Sequence, residues 1–254
     1  MDVLGIDIGG TGIKAAVVDT LSGDLVSERV RVPTELPVTR TALLRTLGAL
    51  LDQFDWRGPV GCGFPGVIRG GCVDTAANLG PDLPGWDLKG ALREHHGIAA
   101  YILNDADAAA LAEAAFGAAR GQCGVVLVLT VGTGIGSALV VDGVLVPNIE
   151  LGHAEYKGKV AEHFVSNRTR KAEELSWKQW AQRFDGFLRH LERIIQPDLF
   201  VIGGGGAKKP KKFAEFLRVK TPVRFAAYAN RAGIIGAAVG AARAETAGTG
   251  RGAG

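Results

Sequence analysis

The sequence predicts an α/β fold built from two related lobes. The chain has 254 residues, which is enough for one large α/β domain or two smaller lobes. The same four letters occur twice, as Gly10-Thr11-Gly12-Ile13 and as Gly132-Thr133-Gly134-Ile135. In each copy one apolar run precedes the glycines and another follows them, which is typical of a β-hairpin. An internal repeat of this kind indicates two lobes that each open with a glycine hairpin.

The other elements follow from periodicity and turn residues, and their alternation gives the α/β class. Leucines at helical spacing predict the first helix, and a Pro-Gly turn marks the end of the strand after it. In chain order the predicted elements are a helix over 40–54, a strand over 60–64, a strand over 101–103 followed by an Ala-rich helix, amphipathic helices over 171–195, a strand over 199–202 and a helix over 232–242.

Composition excludes several classes of protein. Hydrophobic residues make up 47% of the chain and charged residues 22%, so the chain can bury a core. A net charge of +3 is too small to indicate a nucleic-acid-binding protein, and no apolar run approaches the roughly 18 residues of a membrane helix. The three cysteines show no Cys-x-x-Cys spacing. We therefore expect a cytoplasmic protein that binds neither nucleic acid nor membrane and has no disulfide framework.

Three glycine-rich loops follow predicted strands and are candidates for binding phosphate. Residues without side chains let the backbone approach phosphate oxygens, and successive N–H groups form an anion site. The first loop lacks the Lys-Ser or Lys-Thr ending of a P-loop, and the second runs into a strand where a dinucleotide site has a helix. One such loop alone is usually only a tight turn, but three together favour a shared anion. The loops contain Gly9, Gly10 and Gly12, then Gly132, Gly134 and Gly136, and finally Gly203 to Gly206.

Two carboxylates lie where a predicted strand meets a helix, in Asn104-Asp105-Ala106-Asp107. A carboxylate at such a junction can act as a general base, because the sheet holds the loop rigidly. The alternative is that an aspartate only caps the helix. We assign the cap to Asp107 and the chemistry to Asp105.

A second polar cluster, Glu150-Leu151-Gly152-His153-Ala154-Glu155, places two carboxylates and an imidazole within six residues. These groups suit hydrogen bonds to the hydroxyls of a polyol. A lone histidine without thiolate partners is a poor zinc site. The alternative interpretation is a solvated surface turn.

Basic residues concentrate in two segments of the second half. Such runs are usually a solvated face, but one of them directly follows the third glycine loop. A long polyanion lying across both segments would explain that placement, by the physics that governs binding to nucleic-acid backbones. The residues are Lys157, Lys159, Arg168, Arg170, Lys171, Lys208, Lys209, Lys211 and Lys212.

The order of these motifs resembles the ROK family of sugar kinases, which belongs to the actin-like ATPase superfamily. The resemblance covers residues 1–243. The stretches around Trp177 and Trp180 and over 197–205 are similar to the members that use inorganic polyphosphate. The motifs shared with the family are Asp7-Ile8-Gly9-Gly10-Thr11-x-x-Lys14, Phe64-Pro65-Gly66, Asn104-Asp105-Ala106, Gly132-Thr133-Gly134-Ile135-Gly136 and Glu150-x-Gly152-His153.

The resemblance implies two actin-like (ribonuclease H-like) lobes with a central substrate cleft, in a homodimer. It implies phosphoryl transfer to the 6-hydroxyl of glucose from inorganic polyphosphate and ATP, with Mg²⁺ as cofactor. Asp105 matches the family's catalytic base, and Asp7 the carboxylate near Mg²⁺, which it holds through water. The implied glucose ligands are Asn104, Asp105, Glu150, His153, Glu155, Gly66 and Asn78. The implied donor ligands are Asp7, Gly9, Gly10, Thr11, Gly12, Lys14, Gly132, Thr133, Gly134, Gly204 and Gly205.

One departure from the family concerns zinc. Many ROK proteins follow the Gly-His pair with a cysteine cluster that binds structural zinc, but residues 156–175 contain no cysteine. We therefore expect no structural zinc.

The expected domains are a small N-terminal lobe over 1–107, joined by the C-terminal helix near 232–243, and a large C-terminal lobe over 108–231. The last residues, 244–254, are rich in Gly, Ala and Thr, and a disordered tail is expected there.

Three other functions stay open at this point. A strictly ATP-dependent ROK hexokinase or a glucomannokinase would share the site but differ in donor or sugar. A non-catalytic sugar sensor would not need Asp105 or the phosphate loops. A polyanion-binding or nucleic-acid-binding module would explain only the basic residues.

Overall fold

The chain forms two compact units, each built on a five-stranded sheet. The computed structural model describes residues 1–76 and 79–250. The N-terminal unit comprises residues 1–112 and the segment from Arg231 onward, and the C-terminal unit comprises residues 113–230. The sequence predicts these boundaries after residues 107 and 231.

In the N-terminal unit the sheet has the strand order β3-β2-β1-β4-β8. Strand β1 is antiparallel to β2 and parallel to β4, and β4 is parallel to β8. Strands β1 and β4 are apolar almost throughout, as expected for strands buried on both faces. The elements are β1 (Asp2–Gly9), β2 (Gly12–Asp19), β3 (Val30–Val32), α1 (Arg40–Gln53), β4 (Val60–Phe64), β5 (Ile68–Arg69), β6 (Cys72–Val73), β7 (Trp86–Asp87), α2 (Leu88–His96), β8 (Ala100–Asn104) and α3 (Asp105–Ala115), of which the last three residues belong to the C-terminal unit.

In the C-terminal unit the sheet has the strand order β11-β10-β9-β14-β15. Its core contains large aromatic side chains from α6, among them Trp180, Phe184 and Phe187. A capping box between Ser176 and Gln179 begins that helix. The elements are β9 (Val125–Val131), β10 (Ile135–Val141), β11 (Val144–Val146), β12 (Glu155–Tyr156), β13 (Lys159–Val160), α4 (Glu162–Val165), α5 (Asn167–Ala172), α6 (Trp177–Ile195), β14 (Leu199–Gly203) and β15 (Val223–Phe225).

The two sheets repeat one topology. In each, an antiparallel edge strand pairs with the second strand of a glycine hairpin, and the first strand of that hairpin is parallel to the next. The two glycine hairpins predicted from the repeated letters are β1–β2 and β9–β10. This repetition confirms the prediction of two related α/β lobes.

The last helix, α7 (Ala232–Gly250), packs on the sheet of the N-terminal unit. It continues through residues 244–250, where the composition of the sequence predicts a disordered tail. Alanine and glutamate in this stretch favour a helix, and Thr246 Oγ1 donates to the carbonyl oxygen of Ala242 at 2.6 Å. Residues 251–254 lie outside the described part of the chain. No helix within the described ranges is both long enough and apolar enough to span a bilayer.

Two glycines let α7 approach its neighbours at backbone distance. A Cβ added at Gly236 would lie 1.5 Å from the carbonyl oxygen of Ala108, and one added at Gly61 would lie 1.9 Å from that of Ala237. Helix α7 therefore contacts α3 and β4 directly through their backbones.

Gly236→Ala should destabilise the N-terminal unit by about 3 kcal/mol, because a methyl group there forces two helices apart. The free energy of unfolding from urea titration measures the effect. Gly205→Ala is the matched control, since nothing lies within 4 Å of a Cβ at that position. Equal unfolding free energies for the two variants would contradict the packing described for α7.

Candidate functional site

The hairpin β1–β2 carries an ion pair beside the first glycine loop. Asp7 and Lys14 are opposite each other across the two strands, and Lys14 Nζ lies 2.7 Å from Asp7 Oδ2. Their side chains are 17% and 25% exposed, so both reach solvent. Gly9 and Gly12 close the hairpin, with Gly10 and Thr11 at its turn.

Asp7 also lies against the first turn of α7. A Cβ added at Gly233 would be 2.8 Å from Asp7 Cγ. A carboxylate is favoured there, because the N-terminal end of a helix carries partial positive charge.

Asn104 and Asp105 join β8 to α3. Asn104 Oδ1 accepts hydrogen bonds from the backbone N–H groups of Ala106 and Asp107, at 2.8 and 3.1 Å, so Asn104 caps the helix. The assignment of the cap to Asp107 was therefore wrong. Asp107 is the third residue of α3 and only 1% exposed, whereas Asn104 is the last residue of β8 and directly precedes the helix.

Asp105 is the first residue of α3 and is half-buried. Its Oδ1 accepts a hydrogen bond from the N–H of Ala106 at 2.8 Å. The Asp105 Cα lies 3.8 Å from where a Cβ on Gly63 would be, and Gly63 is the direct neighbour of Asp7 in the sheet. The N-terminal unit thus brings Asp7, Lys14 and Asp105 together at the carboxyl ends of β1, β4 and β8. They lie around Gly63, which has no side chain.

The turn at Gly66 and Val67 connects Asn104 to the segment around Thr75. Asn104 Nδ2 donates to the carbonyl oxygen of Gly66 at 3.1 Å, and Thr75 Oγ1 accepts from the N–H of Val67 at 3.0 Å. Thr75 also lines a cavity of about 670 Å³, together with Ala76 and Leu79. The predicted glucose ligand Asn78 lies outside the described residues.

In the C-terminal unit, Glu150 and His153 flank a short turn of 3₁₀ helix, Leu151–His153. His153 Nδ1 is 3.9 Å from Glu150 Oε2. The segment is fixed by Ser137, whose hydroxyl donates to the carbonyl oxygen of Ile149 and accepts from the N–H of Leu151. Glu155 follows in β12 with an exposed side chain.

Burial raises the pKa of the Glu150 carboxyl above its usual value. The nearby His153 opposes this shift, and the carboxylate of Glu162 adds to it. Glu150 is therefore a carboxylate held in a partly desolvated position.

Glu162, at the start of α4, was missed by the sequence analysis. Its Oε2 accepts from the N–H of Ile135 at 3.2 Å, and a Cβ added at Gly134 would lie 2.2 Å from that oxygen. The Glu162 carboxylate therefore lies close to both the second glycine loop and Glu150. Its only sequence signal was a glutamate in a polar stretch, which does not distinguish it from surface residues.

The second and third glycine loops meet α5. The carbonyl oxygen of Gly132 accepts from the N–H groups of Asn167 and Arg168, at 3.1 and 3.3 Å. A Cβ added at Gly206 would lie 2.7 Å from Asn167 Cβ. A cavity of about 460 Å³ lies here, lined by Gly132, Thr133, Asn167, Arg168, Lys171 and Ala172. Two of the predicted basic residues therefore line a cavity at a predicted phosphate loop.

The other basic residues are distributed differently. The Arg170 guanidinium stacks on the Trp177 ring at 4.2 Å, and Lys212 Nζ lies 5.9 Å from the same ring centroid. Lys157 Nζ is 5.7 Å from the rings of Tyr156 and Phe164. The remaining side chains are exposed, namely those of Lys159, Lys208, Lys209 and Lys211. Gly204 and Gly205 begin the loop that precedes the lysine run.

Among the residues the structure describes, no group of three or more His, Cys, Asp or Glu side chains is placed to hold a metal ion.

Comparison with known proteins gives one consistent result. The sequence model of the ROK family matches residues 3–157. The chain is 42% identical over 236 residues to the polyphosphate glucokinase of Mycobacterium tuberculosis (strain CDC 1551 / Oshkosh), across 92% of this chain and 89% of the relative. The polyphosphate glucokinase of Mycobacterium leprae (strain TN) is 39% identical, across 92% of this chain and 73% of the relative.

Two solved structures are similar over nearly their whole length. The inorganic polyphosphate/ATP-glucomannokinase from Arthrobacter sp. strain KM has a TM-score of 0.90 and 42% identity, across 96% of this chain and 99% of that one. The ROK family glucokinase from Streptomyces griseus, solved with glucose and AMPPNP, has a TM-score of 0.80 at 24% identity, across 96% and 100% of the two chains.

Proposed function

Because the chain belongs to the ROK family and shares its actin-like, two-lobed α/β fold, we propose that it phosphorylates the 6-hydroxyl of glucose with inorganic polyphosphate or ATP. One observation carries the proposal: Asp105, Asp7 and Lys14 lie together at the same end of the sheet, beside the first glycine loop. The names of the M. tuberculosis and Arthrobacter relatives support polyphosphate as the donor.

Asp105 is the proposed general base. Its carboxylate accepts the proton of the glucose 6-hydroxyl as that oxygen attacks the terminal phosphorus of the donor. The bond from phosphorus to the bridging oxygen breaks, and the donor leaves one phosphate shorter. The cap by Asn104 fixes the start of α3, so the Asp105 backbone is held rigidly for this step.

Lys14 and the amides of the first glycine loop are proposed to neutralise charge on the transferred phosphate. Mg²⁺ fits a site beside Asp7, since this ion is commonly held by one or two carboxylates together with substrate phosphates, and Asp7 supplies one carboxylate. When bound, it would offset negative charge on the donor.

The proposed sugar ligands are Asn104, Glu150, His153 and Glu162. The Glu150 carboxylate and the His153 imidazole flank one turn, and Glu162 adds a second carboxylate, so these groups provide both acceptors and a donor for sugar hydroxyls. Glu155, Gly66 and Asn78 remain further proposed ligands. The homodimer and the cytoplasmic location remain predictions of the family resemblance.

Arg168 and Lys171 are the proposed start of the polyphosphate path, because they line the cavity at Gly132 and Thr133. Polyphosphate offers more charged groups to this cavity than the three phosphates of ATP. The other seven basic residues are proposed contacts farther along the chain of phosphates.

Replacing Arg168 and Lys171 together by glutamine should raise the KM for polyphosphate about tenfold at low salt and flatten its salt dependence, since two phosphate contacts are lost. The KM for ATP should change less. The control is Lys178→Gln with Arg193→Gln, which removes the same charge from exposed positions on α6. If both double variants showed the same polyphosphate KM, the assignment of the path to this cavity would be wrong.

The proposed function is tested by glucose 6-phosphate formation from purified protein with Mg²⁺, with polyphosphate and ATP assayed in parallel. Turnover with ATP alone would favour an ATP-dependent ROK hexokinase. Glucose binding without turnover on either donor would favour a sugar sensor. Assays with mannose decide whether the protein is a glucomannokinase, like the Arthrobacter relative.

A further inference from the structure

A cation that the motifs did not include lies on the first glycine loop. Arg31, in β3, is exposed, and its Nη2 donates to the carbonyl oxygen of Thr11 at 2.7 Å. A Cβ added at Gly12 would lie 2.8 Å from Arg31 Nε. The guanidinium therefore packs directly against the loop backbone.

Strand register places Arg31 in line with the Asp7–Lys14 pair. Asp7 is opposite Lys14, and Lys14 is opposite Arg31 on the next strand. Residues opposite each other share a face of the sheet, and neighbouring strands lie about 4.8 Å apart. Because β3 is the edge strand, the row runs from a carboxylate inside the sheet to two cations toward its edge.

The two cations differ in how their charge is balanced. Lys14 is paired with Asp7, whereas Arg31 has no carboxylate within salt-bridge distance among the described residues. A guanidinium has five N–H donors in a fork that matches two phosphate oxygens, and the bond to Thr11 uses only one of them. An uncompensated Arg charge beside a glycine loop suits an anionic ligand.

We propose that Arg31 binds the phosphoryl donor, at a phosphate next to the one that is transferred. The assignment rests on the proposed function, because it takes the first glycine loop as the donor site. Arg31 is one strand farther than Lys14 from Asp7, so the phosphate it holds stays on the leaving chain. An interaction that is the same before and during transfer strengthens donor binding and leaves kcat unchanged.

The test is binding of inorganic tripolyphosphate by isothermal titration calorimetry, without glucose, so that no transfer occurs. Arg31→Gln should weaken binding about tenfold, because a charge-assisted hydrogen bond is lost. The slope of log Kd against log salt should fall by about one ion. Arg31→Lys keeps the charge and should retain most of the affinity. Arg29→Gln, two residues away and also exposed, should bind as the wild type does.

Glutamine removes the charge and is too short to place a donor where Nη2 lies, so the salt slope and the melting temperature together separate the charge of Arg31 from bracing of the loop. An Arg31→Gln protein with wild-type Kd and salt slope would overturn the assignment. So would a lower melting temperature with an unchanged salt slope, since that is the result of a structural brace. A wild-type protein that neither binds tripolyphosphate nor forms glucose 6-phosphate would instead overturn the proposed function, and this assignment with it.

Discussion

Replacing Asp105 by asparagine should lower kcat for glucose 6-phosphate formation by about 10³-fold, because a positioned general base contributes 10² to 10⁴. Asparagine keeps the size of the side chain and its bond to the N–H of Ala106, so α3 should begin as before. Glucose affinity, measured by isothermal titration calorimetry, should change little. The two measurements together separate loss of the base from loss of the sugar site.

The matched control for this variant is Asp52→Asn, the same change at an exposed position in α1 of the same unit. Its kcat should equal that of the wild type. If Asp105→Asn kept most of its kcat, another group would have to accept the proton, and the assignment of the base would fail.

Replacing Lys14 by methionine should lower kcat/KM for either donor by about 10²-fold, as for other preorganised groups that stabilise transition-state charge. The ion pair with Asp7 makes the effect large, since its loss leaves a carboxylate that repels the incoming phosphate. Initial rates at varied donor concentration measure the change, while glucose affinity should stay the same.

Lys89→Met, at an exposed position in α2, is the control for the loss of one positive charge. Lys14→Arg should retain part of the activity, because a cation remains opposite Asp7. A Lys14→Met enzyme with a kcat/KM within threefold of the wild-type value would show that the donor does not bind beside the Asp7–Lys14 pair.

The architecture was predictable because its signals are local. Glycine turns between apolar runs specify hairpins through turn chemistry, and two copies of the same letters predicted the two similar sheets. Asp105 was likewise proposed from local sequence, because it follows a predicted strand. Which neighbour caps the helix depends on backbone angles at single residues, which is why Asp107 was chosen where Asn104 makes the bonds.

Residues that we propose for the site because of their tertiary contacts were not predictable from one sequence. Arg31 belongs to a three-residue strand whose register with β2 places it at the loop, and Glu162 reaches Ile135 across 27 positions of the chain. Neither has a motif around it. The basic residues show the same limit, because only the fold separates Arg168 and Lys171, which line a cavity, from Arg170, which stacks on Trp177.

We propose that this chain moves a phosphoryl group from polyphosphate to the 6-hydroxyl of glucose. ³¹P NMR of the purified protein with glucose, Mg²⁺ and polyphosphate, and no nucleotide, tests it most directly. We predict a growing glucose 6-phosphate signal, no matching rise in inorganic phosphate, and no such signal with Asp105→Asn over the same time. Release of inorganic phosphate without glucose 6-phosphate, or no change in the polyphosphate signals, would contradict the claim.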